Sequence, residues 1–200
     1  MKLSILAKKL YYLSLYKEAA QILKLASKEV FAHISGPSGS GKTTIMEEIA
    51  SLHPDVVAKD LDEFDEEANK AMDIPDSWKH DSSIWTQEIE ETQFALRQRL
   101  LDDFLERNSG RKIILAGHHT EWGKDLQFNA KHKILLNTST KESMERRIKR
   151  DREWGKGWNF WENEEDLTSE LEESEEIVKY LMIESYVPMG REEILSLFED

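Results

Sequence analysis

The run Gly36-Pro37-Ser38-Gly39-Ser40-Gly41-Lys42-Thr43-Thr44 contains the residue types that hold a triphosphate. Its spacing is G-x-x-x-x-G-K-[ST]. Glycines let backbone amides approach phosphate oxygens closely. Lys42 is placed to neutralise the β- and γ-phosphates, and Thr43 to set its hydroxyl on Mg²⁺. A helix that begins at this point aims its N-terminus at the same anion. In a chain of 200 residues the pattern arises by chance about 0.01 times.

Phosphoryl chemistry needs an acid beside the metal or the acceptor. The stretch KDLDEFD places Asp60, Asp62 and Glu63 at the end of a strand, where α/β sheets bind ligands. Strand alternation puts Asp60 and Asp62 on one face. One of the pair is suited to Mg²⁺ through water, the other to orienting or deprotonating an acceptor hydroxyl. We assign Asp60, with Thr43, to the metal, and Asp62 to the acceptor. The competing reading makes Asp62 the cap of a helix over EFDEEANKAM. The run IILAGHH offers no acid at its end, only Ala116 and Gly117, then His118 and His119.

The stretch MERRIKRDREWGKG supplies cations. Arg146 and Arg150 are four apart and share a helix face, with Arg147 beside them. Converging arginines stabilise charge that develops on a transferring phosphoryl group. Gly155 and Gly157 give a closing segment its flexible points. The alternative is a solvated helix whose arginines pair with Glu142, Glu145 and Asp151. Acceptor candidates fall between the second and third strands: Trp85 to stack a ring and Arg97 to hold an anion, with Trp78, His80, Gln93 and Arg99 nearby. Asp62, Glu63, His118 and His119 complete that set. Core tryptophans and surface arginines are the plainer alternative for each. Zinc is not expected, because no third ligand lies at suitable spacing.

These residues need elements to position them. EVFAHIS reads as a strand leading into the loop, and TTIMEEIASLH as the helix that leaves it. DVVAKDLD is a second strand and residues 84–107 a long helix. RKIILAGHH and HKILLNTS are further strands. A charged helix over 140–153, an acidic helix over about 163–183, a short run at SYVPM and a helix REEILSLF close the chain. Strands alternating with helices predict a parallel sheet covered on both faces. Ahead of them, Leu3, Leu6, Leu10, Leu13, Ala19, Ile22, Leu23 and Ala26 recur at helical spacing. Residues 1–28 therefore read as a helical appendage to a domain over 29–200. It either packs on the core or serves oligomerisation or docking.

Composition narrows the function. The chain has no cysteine, which removes disulfides and thiolate chemistry and fits a reducing compartment. No stretch reads as a signal peptide or a membrane span, so a cytoplasmic protein without membrane contact is expected. The net charge is −13, yet residues 1–28 hold six lysines and one glutamate, leaving about −18 on the rest. Such a body repels a long nucleic-acid backbone.

With these pieces placed, the chain resembles the P-loop kinases of small metabolites. GPSGSGKTT is similar to the loop of uridine kinases, RRIKRD to their lid helix, and DLD to the acid pair of shikimate-type kinases. The resemblance covers residues 30 to 155. It departs from uridine kinases at Ala116, where they carry an acid, and from shikimate kinases at His118 and His119, where they carry glycines. It implies a P-loop NTPase three-layer sandwich with a lid and an added N-terminal segment. It also implies ATP and Mg²⁺ as cofactors, and transfer to a nucleoside, nucleotide or similar small molecule. Two other readings stand beside it: a polynucleotide 5′-hydroxyl kinase, and a nucleotide-binding adaptor whose N-terminal helix recruits a partner or a second copy.

Overall fold

Strand β1 (Glu29–Ser35) lies at the centre of the sheet because its side chains are buried on both faces. The computed structural model describes residues 29–75, 85–117, 126–153 and 164–199. The other strands are β2 (Val56–Asp60), β3 (Lys112–Ala116), β4 (Asn129–Leu136) and β5 (Val187–Met189). The helices are α1 (Lys42–Leu52), α2 (Leu61–Ala71), α3 (Gln87–Arg107), α4 (Thr140–Glu153), α5 (Glu164–Ile183) and α6 (Arg191–Ser196). Strand order is β2-β3-β1-β4-β5, and the neighbours pair in parallel throughout. Parallel neighbours cannot be joined by a hairpin, so the helices form crossovers over both faces.

Alternation along β3 sorts the core into two layers. Ile114 and Ala116 face Ile45, Met46 and Ile49 of α1 and Ile194 of α6, with Phe198 beyond it. Ile113 and Leu115 face Leu61 and Phe64 of α2 and Leu101 and Leu105 of α3. Leu135, out of phase with Ile134 and Leu136, meets Leu181 of α5 and Tyr186. Continuous apolar runs such as KIILA are what a strand covered on both faces requires. The result is the three-layer P-loop NTPase fold expected from the sequence.

The strand order also places the site. The chain leaves β1 toward β2 and β3 on one side, then crosses to β4 on the other. The C-terminal end of β1 is therefore the topological switch point, where open α/β sheets leave a crevice. The 36–44 run emerges there.

Several boundaries differ from the sequence reading; β4, for one, spans Asn129–Leu136 rather than residues 132–139. The second strand does not run to residue 62; it stops at Asp60, and α2 starts at Leu61. The cause is a capping box. Asp60 Oδ1 accepts from the Asp62 amide at 3.1 Å, and Glu63 Oε1 accepts from the Asp60 amide at 3.1 Å. The long helix begins at Gln87, capped by the Thr86 hydroxyl. Residues 1–28, the proposed appendage, lie outside the described residues.

Candidate functional site

The loop is held open by backbone geometry that side chains resist. Gly41 is left-handed, φ 99° and ψ 19°, and forms the N-cap of α1 without a side-chain cap. The first amides of α1 are thus left for an anion. Gly39, at φ 82°, is needed for a second reason. A Cβ there would lie 2.2 Å from the carbonyl oxygen of Ser143 on α4. The arginine helix packs directly on the loop at this point. Thr138 Oγ1 donates to the Ser40 carbonyl at 3.1 Å, and Arg146 Nη1 to the same oxygen at 3.4 Å.

Lys42 folds back over the loop, with Nζ donating to the carbonyls of Gly36 at 2.9 Å and Pro37 at 3.0 Å. Burial lowers its pKa, Arg150 adds to that, and Asp62 and Asp60 oppose it. The carboxylates keep a cation favourable where phosphates would sit. Thr43 Oγ1 donates to Asp60 Oδ2 at 2.6 Å, which brings together a hydroxyl and a carboxylate oxygen, the hard ligands Mg²⁺ prefers. Among the described residues no group of three or more His, Cys, Asp and Glu could hold a metal. Thr43 and Asp60 instead fit an ion that takes its remaining ligands from phosphate and water.

The acid pair survives the boundary change by a different route. Asp60 ends β2 in register with Ala116 of β3, so the carboxylate stands one strand away from the acid-free end of IILAG. Asp62 is not on the strand. It sits in the first turn of α2 and still lines the same cleft as Asp60, Lys42 and Thr43, a cavity of about 700 Å³. Depth in that cleft raises the Asp62 pKa. The charges of Asp60 and Glu66 push the same way, against Lys42 and Arg97. The residue surface itself is exposed. Water in the open cleft screens the shift, and only its direction enters the chemistry.

The arginines of α4 reach the cleft together. Arg146, Arg147 and Arg150 all line it. The charge partners named for them hold in part: Arg146 pairs with Glu142, and Arg150 Nε lies 3.2 Å from Asp151 Oδ1. Arg147 Nε lies 3.9 Å from Asp151 Oδ2, and its Nη1 also reaches Glu170 Oε2 on α5, 2.6 Å away. Glu170, Glu173, Ser174 and Ile177 of α5 form part of the lining, and sequence reasoning missed them. They belong to a helix dense in acids, where nothing in composition marks one glutamate from the next.

The other candidates divide. Ser38 and Thr44 line the cleft, while Ser40 and Pro37 are buried in the loop. Glu63 does not face the acceptor space among the lining residues. One oxygen caps α2 and the other pairs with Lys59, 3.2 Å away. Arg97 is ion-paired with Asp65, yet close enough to Asp62 to favour its charged form. Trp85 is half-buried just ahead of α3 and is not in the cleft lining. His118 and His119, like Trp78, His80, Gly155 and Gly157, lie outside the described residues.

Comparison with known proteins locates this geometry in a family. The model of a family described as "AAA domain" matches residues 33–173, from β1 through the loop, the acid pair and the arginine helix into α5. None of the curated proteins matches the chain. Among solved structures, shikimate kinase from Acinetobacter baumannii in complex with shikimate is similar, at 16% identity and a TM-score of 0.45, over 85% of this chain and 90% of that one.

Proposed function

This chain belongs to the AAA domain family, and from that membership we propose that it is an ATP- and Mg²⁺-dependent phosphotransferase acting on a small acceptor, a nucleoside, nucleotide or similar metabolite. The observation that carries this reading is the meeting of Lys42, Thr43, Asp60, Asp62 and the arginines of α4 in one cleft. A module that only binds nucleotide needs the loop. It has no use for a second carboxylate, Asp62, whose pKa is raised by its depth in the cleft.

In this reading the amides at the start of α1 and Lys42 hold the β- and γ-phosphates. Lys42 gives up its contacts with the Gly36 and Pro37 carbonyls to do so. Thr43 and Asp60 would hold Mg²⁺, which when bound would offset phosphate charge. Asp62 accepts the proton of an acceptor hydroxyl as its oxygen bonds to the γ-phosphorus. The bond from that phosphorus to the bridging oxygen breaks, and ADP leaves with the electron pair. Arg146 and Arg150 draw off the charge that builds on the transferring group. A long polynucleotide is disfavoured, because residues 29–200 carry a net charge of about −18 and repel a phosphate chain.

The test is a transfer screen with γ-labelled ATP against nucleosides, nucleotides, small hydroxyl metabolites and 5′-hydroxyl oligonucleotides. Label in a small acceptor supports the proposal. Label only on oligonucleotides, or tight ATP binding with no transfer to any acceptor, overturns it.

A further inference from the structure

We propose that Asp151 is a positioning residue that aims Arg150 at the phosphate end of the cleft, an assignment that rests on the phosphotransferase reading. Arg150 lines the cleft and Asp151 is not among the lining residues. The two are bonded, with Arg150 Nε 3.2 Å from Asp151 Oδ1. Asp151 therefore reaches the chemistry only through the arginine.

A helix does not make this contact by its spacing. Neighbours along α4 project about 100° apart, so residues i and i+1 do not face each other. Arg150 shares a side with Arg146, and Asp151 shares one with Arg147. The Arg150 stem must bend around the helix to meet Asp151. The carboxylate takes Nε and not the terminal pair of nitrogens. Because a guanidinium is planar, a contact at Nε sets the plane in which that pair lies. A forked contact with phosphate depends on that plane.

A second acid keeps Asp151 for this task. Its other oxygen, Oδ2, is 3.9 Å from Arg147 Nε, too far for a hydrogen bond. Arg147 has a closer partner, with Nη1 2.6 Å from Glu170 Oε2 of α5. Two guanidiniums one turn apart repel, and a carboxylate for each holds them in separate places. The Asp151 side chain is 21% exposed, so water screens its charge less than at an open surface. Arg150 in turn stands near enough to Lys42 for its charge to help lower the lysine's pKa. The held arginine is thus beside the group assigned to the β- and γ-phosphates.

A double-variant cycle on the full-length chain tests the assignment. It reads kcat, MgATP affinity, and affinity for MgADP with aluminium fluoride, which mimics the transferring group. Asp151→Asn is expected to lower kcat by ~10–10²-fold and to weaken the fluoride complex by a similar factor. MgATP affinity should change by less than about twofold, which also shows that the variant folds. Arg150→Ala should lose at least as much. Arg150→Ala/Asp151→Asn should lose no more than Arg150→Ala alone, because the acid acts through the arginine. An acid with only a structural role would cost stability and leave that split unmoved. Should Asp151→Asn fail to fold, Asp151→Ser removes the same charge and enters the same cycle. Wild-type kcat and fluoride-complex affinity in Asp151→Asn, or losses that multiply in the double variant, would overturn the assignment. A wild-type chain that transfers to no acceptor, yet keeps the cycle in the fluoride complex, would sink the phosphotransferase reading and leave the positioning in place.

Discussion

Lys42 and Asp62 share the cleft and are proposed to have different tasks, so they should fail differently. Lys42→Ala is expected to abolish transfer and weaken ATP binding while the circular dichroism and the melting transition stay close to wild type. The lysine touches loop carbonyls and otherwise serves phosphate. Asp62→Asn should lower kcat by ~10²–10⁴-fold with little change in ATP affinity, because a base acts on the chemical step. The raised pKa of Asp62, set first by its depth in the cleft and then by Asp60, moves the acid limb of the kcat/KM profile upward from where a free aspartate would place it. The same shift bears on stability. A carboxylate whose pKa is higher folded than unfolded adds stability while protonated, fully so below about 3.9, and that stability is lost as pH rises through the folded value. At neutral pH the charged Asp62 opposes folding. Asp62→Asn should therefore raise Tm at pH 7, and the gain should vanish in strong acid. A Tm that is lower at pH 7, or a gain that persists in acid, would reverse the assigned direction.

In the proposed function, helix α4 turns a nucleotide-binding loop into a transfer site, and its contact with Gly39 is where it can be broken. Gly39→Ala imposes a left-handed backbone at ~1–2 kcal/mol and drives a Cβ into the Ser143 carbonyl. Tm should fall clearly, and MgATP should restore less of it than in wild type. Arg150→Ala should depress kcat more than it weakens ATP binding, as expected for a contact made mainly in the transition state. Arg150→Lys should recover little, since an ammonium cannot reproduce the forked guanidinium. Equal kcat in Arg150→Ala and wild type would leave the arginine to its pairing with Asp151. The sequence reading reached the elements because helix and strand periods are local: β1, α1, β3, β4 and α4 all stand close to where spacing placed them. It misplaced the end of β2 because Asp60 and Glu63 were read only as chemistry, when their three-residue spacing is also a capping box. The contact between Gly39 and Ser143, and the bond from Arg147 to Glu170, join residues far apart in the chain. No periodicity carries that information.

At the scale of the molecule, every piece of the site hangs on the switch point at the end of β1. Two strands away, across β3, β2 delivers Asp60 in register with Ala116, and on the other side β4 leads into the arginine helix. Ligand binding at that point should stabilise the chain as a unit. Saturating MgATP, at about 100 times its Kd, is worth about 2.7 kcal/mol, and calorimetry should show one transition moving upward. Thr43→Val should lose the part of that gain that depends on Mg²⁺. The acceptor is the least legible feature, since Asp62, Arg97 and α5 converge only in three dimensions. The measurement that tests the central claim most directly is single-turnover transfer from γ-labelled ATP in the presence of the acceptor found by the screen, run in parallel on wild type and Asp62→Asn. The account expects stoichiometric label in the small acceptor for wild type, and ATP bound but label retained in ATP for Asp62→Asn. Label released only as inorganic phosphate, or transferred equally well by Asp62→Asn, would contradict it.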